Sequence, residues 1–480
     1  MYVNGYKYAL KAHLQLIIPT QGTTTSMELK IKRIEIEETP QELFSKVQSM
    51  YEDAFLLESS TGVERLADFS FVGFNPILKV VSWGNRTVVH DLVRRVHDES
   101  TEKDPLEVVK RYVRPDTFVS PFRFGGGAVG YISYEASRYW EKLPSNSKPD
   151  LGFPTLEFGI YNDGIVFDHR RNMKFYWYID KNRLDDVSQI ISAEIPQETV
   201  HFSEPERSMT KDLFAQLVEK AKSYISSGDI FQVVLSKRFD LKVDGDLNLF
   251  YSELSRLNPS PYMFFLKFGE RKIIGSSPEM LVRVDEGQVE TYPIAGTRPR
   301  LDDPQKNELL SKELINDPKE MAEHTMLVDL ARNDVGKVSI YGTVKVPEFG
   351  IVHQFSHVQH IVSHVTGVLR PGLDCYDVIK AVFPAGTVSG APKVRAMEII
   401  EELEPEHRGP YAGAVGYFSY NGNADFAITI RTLVANGCNC SIQAGAGIVA
   451  DSQPEREWYE TESKAMALIR AAKLAGDKIL

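Results

Sequence analysis

Residues 127–134 read Gly-Ala-Val-Gly-Tyr-Ile-Ser-Tyr, and residues 413–420 repeat this pattern as Gly-Ala-Val-Gly-Tyr-Phe-Ser-Tyr. Short runs of β-branched and aromatic residues are typical of strands, and a glycine inside a strand marks a close approach of backbones. Two glycine-started aromatic strands of near-identical sequence therefore predict two packed sheets, each using such a glycine where backbones approach closely. The repeat is too short to establish a duplication, so we expect one large α+β body with two intimately packed halves.

Strand patterns continue around the first stretch. Residues 27–180 are dominated by alternating apolar and polar residues with turn signals between them, for example at 174–179. The polar stretch 196–208 is interpreted as a linker, and residues 210–226 have the period of an amphipathic helix. Strands and helices then alternate irregularly toward the C-terminus.

These patterns divide the chain into a flexible tail (1–26), an N-terminal region (27–195) and a C-terminal region (209–475). The tail contains no acidic residue, and Lys11 and His13 interrupt its apolar stretch, so a signal peptide fits poorly. We expect the tail to be dispensable for stability and activity.

Composition narrows the class of protein. The chain has 480 residues, 42% of them hydrophobic, and a net charge of −11 without a dense basic stripe, which argues against nucleic-acid binding. No apolar run reaches the ~18 residues that a membrane-spanning helix needs. An odd count of three cysteines in a long chain predicts a reducing, cytoplasmic location.

Two pairs of glutamates suggest chemistry: Glu320 with Glu323, and Glu457 with Glu460. Their i, i+3 spacing places both carboxylates of a pair on one helix face. Each pair lies near a helix start, the first after an N-cap aspartate and a proline, the second after a capping box at 452–455. Carboxylates without neighbouring cysteines suit Mg²⁺, which keeps waters for an anionic substrate. The pairs therefore predict metal-assisted chemistry on a small acidic molecule.

A structural explanation of the same residues stays open. Surface helices are rich in glutamate, and an acid in the first turn, such as Glu320, complements the helix dipole. Glu323, Glu457 and Glu460 lie deeper in their helices and are the better ligand candidates. Lys464 follows Glu460 by four residues, so it either forms a helix ion pair or anchors a substrate carboxylate.

Two further motifs match known binding patterns but lack the helix that each pattern requires. Gly125-x-Gly127-x-x-Gly130 matches the dinucleotide-binding fingerprint, but a strand follows it where a helix is required. His353, His357, His360 and His364 have the spacing of zinc ligands on a helix, yet β-branched residues predict a strand at 358–368. A single catalytic histidine fits this pattern, and a four-histidine zinc site does not.

Taken together, several stretches of the chain resemble the chorismate-utilising enzymes, and among them the large subunits of anthranilate synthases. The resemblance runs in the same order through about residues 40–470. The stretches that carry it are 228–236, 277–279, Pro293-Ile294-Ala295-Gly296-Thr297-Arg298, 323–334, 358–360, Phe383-Pro384-Ala385-Gly386-Thr387-Val388-Ser389-Gly390-Ala391-Pro392-Lys393, 443–449 and 457–464.

This resemblance implies two large, mainly antiparallel sheets packed together, helices on the outside and an active site in the C-terminal portion. It also implies a reaction in tryptophan biosynthesis: ammonia adds to C2 of chorismate, the C4 hydroxyl leaves, and the side chain departs as pyruvate, giving anthranilate. Mg²⁺ would be held by Glu323 and Glu460, with Glu320 and Glu457 supporting its waters, and would neutralise the ring carboxylate.

The resemblance also assigns roles in catalysis and substrate binding. Glu279 matches the general acid, which must be protonated, and nearby carboxylates would raise its pKa. His360 matches the histidine required for loss of pyruvate, and Thr387 belongs to the same catalytic set. The substrate carboxylates would be bound by the side chains of Arg431, Lys464, Tyr411 and Thr387 and by backbone N–H groups of Gly296, Thr297, Gly445, Ala446 and Gly447.

Two positions separate the activities within the family. Gln232 stands where isochorismate and salicylate synthases carry the lysine that activates water, and glutamine is no base. Ala295 stands where aminodeoxychorismate synthases carry a lysine for covalent attack. Both favour anthranilate synthase, with aminodeoxychorismate synthase as the alternative, distinguished by whether an aromatic product forms without a second lyase.

The chain contains no Gly-x-Cys-x-Gly nucleophile elbow. The resemblance therefore implies a separate glutamine amidotransferase subunit (component II) that supplies ammonia, typically in a heterotetramer. Alone, the chain is expected to use ammonium but not glutamine.

The family's L-tryptophan inhibitor site maps to Glu58, Ser59, Pro261, Tyr262 and Met263. Without the resemblance, a strand end and a proline-rich turn would explain these residues. A non-catalytic tryptophan-binding protein is a second alternative, which the intact set of Glu279, Glu323, His360 and Glu460 argues against.

Overall fold

Two large sheets carry the fold of the residues that the computed structural model describes, namely 14–16, 25–59, 68–114, 120–195, 199–355 and 358–476. The helices are α1 (Pro40–Met50), α2 (Pro105–Tyr112), α3 (Leu184–Ser192), α4 (Lys211–Ser226), α5 (Leu247–Leu257), α6 (Pro304–Asn316), α7 (Pro318–Val338), α8 (Cys375–Val382), α9 (Gly386–Ser389), α10 (Lys393–Leu403) and α11 (Pro454–Gly476).

The strands are β1 (Leu14–Leu16), β2 (Thr25–Met27), β3 (Lys30–Arg33), β4 (Asp53–Glu58), β5 (Phe69–Phe74), β6 (Leu78–Trp83), β7 (Arg86–Asp91), β8 (Val96–Ser100), β9 (Gly127–Ile132), β10 (Leu156–Tyr161), β11 (Asp163–Asp168), β12 (Met173–Tyr178), β13 (Val200–Phe202), β14 (Glu206–Arg207), β15 (Gln232–Gly245), β16 (Tyr262–Phe268), β17 (Arg271–Ser277), β18 (Met280–Asp285), β19 (Gln288–Thr291), β20 (Ile294–Pro299), β21 (Lys345–Gln354), β22 (Val358–Val368), β23 (Gly390–Ala391), β24 (Ala414–Ser419), β25 (Ala424–Ile428), β26 (Thr432–Asn436) and β27 (Asn439–Ile448). A 3₁₀ turn covers Tyr134–Tyr139.

Both sheets combine strands from the two halves of the chain. Sheet one has the order β20-β22-β19-β18-β25-β24-β9-β10-β6-β7-β8, with β21 also paired to β22. Sheet two has the order β13-β15-β27-β26-β17-β16-β4-β5-β11-β12-β3, with β14 and β23 also paired to β15. Neighbouring strands within both sheets run antiparallel, as in the pairs β9–β24 and β15–β27.

The hydrophobic core forms three layers. A cluster between the sheets contains Phe55 and Phe264 from sheet two and Val129 and Tyr417 from sheet one. Helices α2 and α8 pack on the outer face of sheet one, α10 packs against β15 of sheet two, and α1, α5 and α11 pack on the outer face of sheet two. The predicted class, two mainly antiparallel packed sheets with helices outside, is confirmed.

The two repeated stretches lie side by side. β9 and β24 pair in sheet one, with Gly130 opposite Gly416, so the prediction that each belongs to a different sheet is wrong. Similar strands have matching alternation and can pair in one sheet as readily as pack across two. The expected close approach is present: a Cβ on Gly130 or Gly416 would lie 2.0 Å from the carbonyl oxygen of Glu157 or Asp425.

Other parts of the chain differ from the expected division. Within the stretch interpreted as a linker, β13 and β14 pair with β15 of sheet two. In the predicted tail, β1 pairs with β2. Residues 1–13, 17–24, 196–198 and His357 lie outside the described residues. No helix in the described part of the chain combines the length and apolarity needed to cross a membrane.

Candidate active site

Helices α7 and α11 bring the two glutamate pairs to the site. α7 begins as predicted, because the Asp317 side chain accepts hydrogen bonds from the backbone N–H groups of Lys319 and Glu320 and a proline opens the helix. α11 begins at Pro454, and Glu455 is ion-paired with Lys211 (2.6 Å). The predicted capping box is wrong because Gln453, not Ser452, precedes the first turn. The Gln453 carbonyl accepts from the backbone N–H of Glu457 (3.1 Å), and Ser452 Oγ accepts from the backbone N–H of Val449 (3.1 Å).

All four glutamates line one cavity of about 640 Å³ between the two helices and the ends of both sheets. The i, i+3 spacing placed each pair on a shared face, and the tertiary fold turns both faces toward the same space. Each of the carboxylates has a protein donor: Gln232 Nε2 donates to Glu323 (3.0 Å), Lys464 Nζ to Glu460 (2.7 Å), Arg298 Nη1 to Glu320 (3.3 Å) and the Ser452 side chain to Glu457.

The chemistry of this donor set fits Mg²⁺. Burial raises the pKa of Glu323, and the like charges of Glu320 and Glu460 add to this; burial and Glu460 likewise raise the pKa of Glu457. A divalent cation would relieve this repulsion, and carboxylate oxygens are the ligands it prefers. In the described residues no three acidic, histidine or cysteine side chains already converge on an ion position.

Glu279 follows β17 and is almost fully buried beside Thr387. Burial raises its pKa to about 8, while Thr387 and the positive charge of Lys464 partly oppose this rise. The expected direction is therefore present, but its expected cause is wrong, since desolvation rather than the glutamate cluster raises this pKa. At neutral pH Glu279 is a protonated acid.

His360 lies on β22, the strand predicted at 358–368 and observed there. Its Nδ1 lies 2.8 Å from the backbone carbonyl oxygen of Gly296. Because a carbonyl only accepts, Nδ1 carries the proton and Nε2 retains its lone pair. Burial lowers the pKa of His360, the bond to Gly296 opposes this, and the charges of Arg431 and Lys464 lower the pKa further. The site therefore favours the neutral ring.

Most predicted substrate contacts line the same cavity. Arg431 is partly buried, has a left-handed backbone (φ 52°) and donates through Nη1 to the carbonyl of Lys464 (2.7 Å). Lys464 Nζ donates to the Gly445 carbonyl (2.9 Å), which fixes the ammonium group. The remaining predicted contacts on the cavity wall are Gly296, Thr297, Thr387, Tyr411 and Gly447.

The glycines on this wall leave room that side chains would fill. A Cβ on Gly445 would lie 2.8 Å from the Tyr411 hydroxyl, and one on Gly447 would lie 2.4 Å from Gln232 Nε2. The side chain of Ala446, between them on β27, instead belongs to the hydrophobic core, because successive residues of a strand point to opposite faces.

Lys319 and Gln443 are among the lining residues that were not predicted. Lys319 lies in the first turn of α7, and Gln443 lies on β27. The only sequence signal for Lys319 is a basic residue between a helix-starting proline and a candidate ligand; Gln443 precedes the glycines by two residues and so faces the same side of the strand.

The five residues predicted for an inhibitor line a second, smaller cavity of about 60 Å³ between the sheets. Ser59 Oγ donates to the Pro261 carbonyl (2.8 Å), and the Tyr251 hydroxyl donates to Glu58 (2.7 Å), whose pKa is raised by burial. The wall from sheet one includes Arg283 and Asp425, whose side chains are ion-paired (2.7 Å).

Comparison with known proteins agrees with this geometry. Residues 52–470 match the family model described as chorismate binding enzyme. Anthranilate synthase component 1 of Methanothermobacter thermautotrophicus is 48% identical, over 93% of this chain and 94% of that protein. Aminodeoxychorismate synthase component 1 of Bacillus subtilis is 41% identical, over 91% and 95%.

Among solved structures, anthranilate synthase component I from Streptococcus pneumoniae TIGR4 superimposes with a TM-score of 0.77 and 36% identity. The match covers 86% of this chain and 94% of that one. The resemblance that the sequence motifs predicted is confirmed.

Proposed function

Because this chain belongs to the family of chorismate-binding enzymes, we propose that it converts chorismate and ammonia to anthranilate and pyruvate as the large component of an anthranilate synthase. The observation that carries the proposal is the convergence of Glu279, His360 and the four glutamates on one cavity. Most of the similar proteins named above share this activity in their names.

The residues at two decisive positions support an ammonia nucleophile. Gln232 lines the cavity and donates to Glu323, so it holds a carboxylate in place but has no basic nitrogen for activating water. Ala295 also lines the cavity and has no nucleophilic atom for covalent attack. The alternative, aminodeoxychorismate formation, differs in leaving the side chain on the ring.

The protein groups have separate tasks in this reaction. Ammonia forms the bond to C2, and the neutral Glu279 donates its proton to the C4 hydroxyl, which leaves as water. His360 Nε2, with its free lone pair, then accepts the proton from C2 as the side chain leaves as pyruvate. Arg431 and Lys464 offer positive charge for the substrate carboxylates.

Glu323 and Glu460 would hold Mg²⁺, with Glu320 and Glu457 around its waters. When bound, the ion supplies electrostatic neutralisation of a substrate carboxylate.

Ammonia would come from a glutamine amidotransferase subunit, as the "component 1" names of the relatives suggest; we further propose a heterotetramer. The second cavity would bind L-tryptophan and inhibit the enzyme. Its support is the position of Glu58, Ser59, Pro261, Tyr262 and Met263 around one space between the sheets.

The test is direct. Purified chain with chorismate, ammonium and Mg²⁺ should produce the fluorescence of anthranilate, and glutamine should not replace ammonium. A product that keeps its side chain until a second lyase is added would favour the aminodeoxychorismate alternative, and glutamine-dependent turnover would contradict the need for a partner.

A further inference from the structure

A four-residue helix, α9, carries Thr387 into the catalytic cavity. A single turn has too few internal hydrogen bonds to hold its own position, and the carbonyls at its end need partners from elsewhere. Val388 presents such a carbonyl, and Arg408 Nη1 donates to its oxygen (2.7 Å). The residue next to Thr387 is therefore tied to a buried guanidinium.

The same guanidinium fills a gap beside β15. This strand pairs with β23 at residues 232–233 and with β14 at 239–240. The backbone N–H of Ser208 adds a bond to the carbonyl of Arg238 (2.9 Å), which leaves residues 234–236 between these points. Arg408 Nη2 donates to the carbonyl of Val234 (2.8 Å), and Glu404 accepts from the backbone N–H of Ser236 (2.8 Å). The two side chains thus replace a stretch of strand with charged hydrogen bonds.

Arg408 and Glu404 form a closed unit. Nε and Nη2 of Arg408 donate to the two oxygens of Glu404 (2.8 and 2.7 Å), and Arg408 is 1% exposed. The guanidinium also lies 4.7 Å from the Tyr134 ring and 5.7 Å from that of Tyr411. Since a buried charge is costly unless every donor is satisfied, this arrangement tolerates little movement.

We infer that Arg408 is a positioning residue of the active site: it joins α9, β15 and Tyr411 at fixed distances, so that Thr387 stays beside Glu279. Val388, Val234 and Tyr411 all line the catalytic cavity, and Arg408 holds them from behind without contacting it. The planar guanidinium of Arg408 donates to two carbonyls and a carboxylate at once, and a lysine ammonium cannot reproduce this geometry. The inference rests on the proposed function, which gives Thr387 and Glu279 their roles in catalysis.

The test compares the rate of chorismate consumption by Arg408→Lys with that by wild type. Chromatography measures the loss of chorismate and does not depend on which product forms. A displaced α9 should lower kcat/KM by about 10²-fold. A displaced α9 should also move Thr387 away from Glu279, whose pKa Thr387 lowers. The pKa of Glu279 should then rise, and the basic limb of the pH profile should move to higher pH. A merely structural role would lower thermal stability without moving that limb.

Arg271→Lys is the matched control, because Arg271 forms an equally bidentate pair with buried Glu157 (2.7 and 2.8 Å) outside the cavity; it should lose stability and keep the wild-type limb. If Arg408→Lys does not fold, Glu404→Gln weakens the same unit and should shift the limb in the same direction. Folded variants with unchanged kcat/KM and an unchanged limb would overturn the inference. Wild-type turnover to a product other than anthranilate would instead sink the proposed function and leave this comparison valid.

Discussion

Burial shifts the pKa values of the two proton-transfer groups in opposite directions. It raises the pKa of Glu279 to about 8 and lowers that of His360, so at neutral pH the carboxyl is an acid and the imidazole is a base. Neutral groups in a desolvated site are what an acid and a base of this kind require. The sequence identified both residues, but it could not give the cause, because burial depends on residues remote in the chain.

The first prediction concerns pH. Glu279 is protonated below about pH 8, so kcat/KM for chorismate should fall as pH rises through this value. Glu279→Gln should lower kcat by about 10²–10⁴-fold while chorismate still binds. Rates measured across the pH range check this; a profile that stays flat well above that pH would remove Glu279 as the acid.

The second prediction concerns His360. His360→Met keeps the volume but has no proton acceptor near C2, so the reaction should stall at the aminated intermediate, visible by chromatography as a product that retains its side chain. His364→Gln is a control on the same strand, since His364 is bonded to Glu290 (3.0 Å) and should keep anthranilate output. Unchanged output from His360→Met would exclude this histidine from the mechanism.

Among the elements, α7 and α11 contribute to the site through the helix faces that carry their glutamate pairs. Their spacing was readable from the sequence, and so was the start of α7, because caps and i, i+3 pairs are local. The predicted cap of α11 was wrong by one residue, since the helix begins after Gln453, whose carbonyl accepts from the backbone N–H of Glu457 (3.1 Å).

The third prediction belongs to these helices. Glu323→Gln removes one of the four charges and should weaken Mg²⁺ binding by about tenfold or more, because fewer anionic ligands remain. Isothermal titration with Mg²⁺ alone measures this without turnover. Glu455→Gln, on α11 but ion-paired with Lys211, should bind Mg²⁺ as wild type does; equal losses in both variants would argue against a specific site.

The fourth prediction concerns β24. Gly416→Ala puts a methyl group 2.0 Å from the carbonyl oxygen of Asp425, so the strands must separate, and the free energy of unfolding should fall by about 1–3 kcal/mol. Gly336→Ala, in α7 with nothing within 4 Å of its Cβ position, should instead gain up to about 1 kcal/mol. Chemical denaturation compares the two; a neutral Gly416→Ala would show that the strands can move apart.

In the whole molecule, both cavities lie where the two sheets meet. The smaller one is bounded by β4 and β16 of sheet two and by β18, β24 and β25 of sheet one, while the larger one is bounded by β15 and β27 of sheet two and by β20 and β22 of sheet one. A ligand that changes how the sheets pack at one place can therefore bias the other, provided that it binds the two arrangements unequally.

The fifth prediction tests this regulation. Ser59→Arg places a long cation where a small hydroxyl bonds to Pro261, so L-tryptophan inhibition should disappear while uninhibited turnover is kept. Ser49→Arg, at an exposed position of α1, should remain inhibited as wild type. Retained inhibition in Ser59→Arg would place the tryptophan site elsewhere.

The amino-acid sequence alone determined the family motifs, the α7 cap, the strand at 358–368 and the residue types of the site. These features depend on neighbours a few positions away, or on motifs that can be matched directly. Only the tertiary structure decided that the repeated strands pair within one sheet, that burial raises the pKa of Glu279, and that Arg408 links α9 to β15. Each of these depends on contacts between residues far apart in the chain, whose packing and desolvation no local pattern encodes.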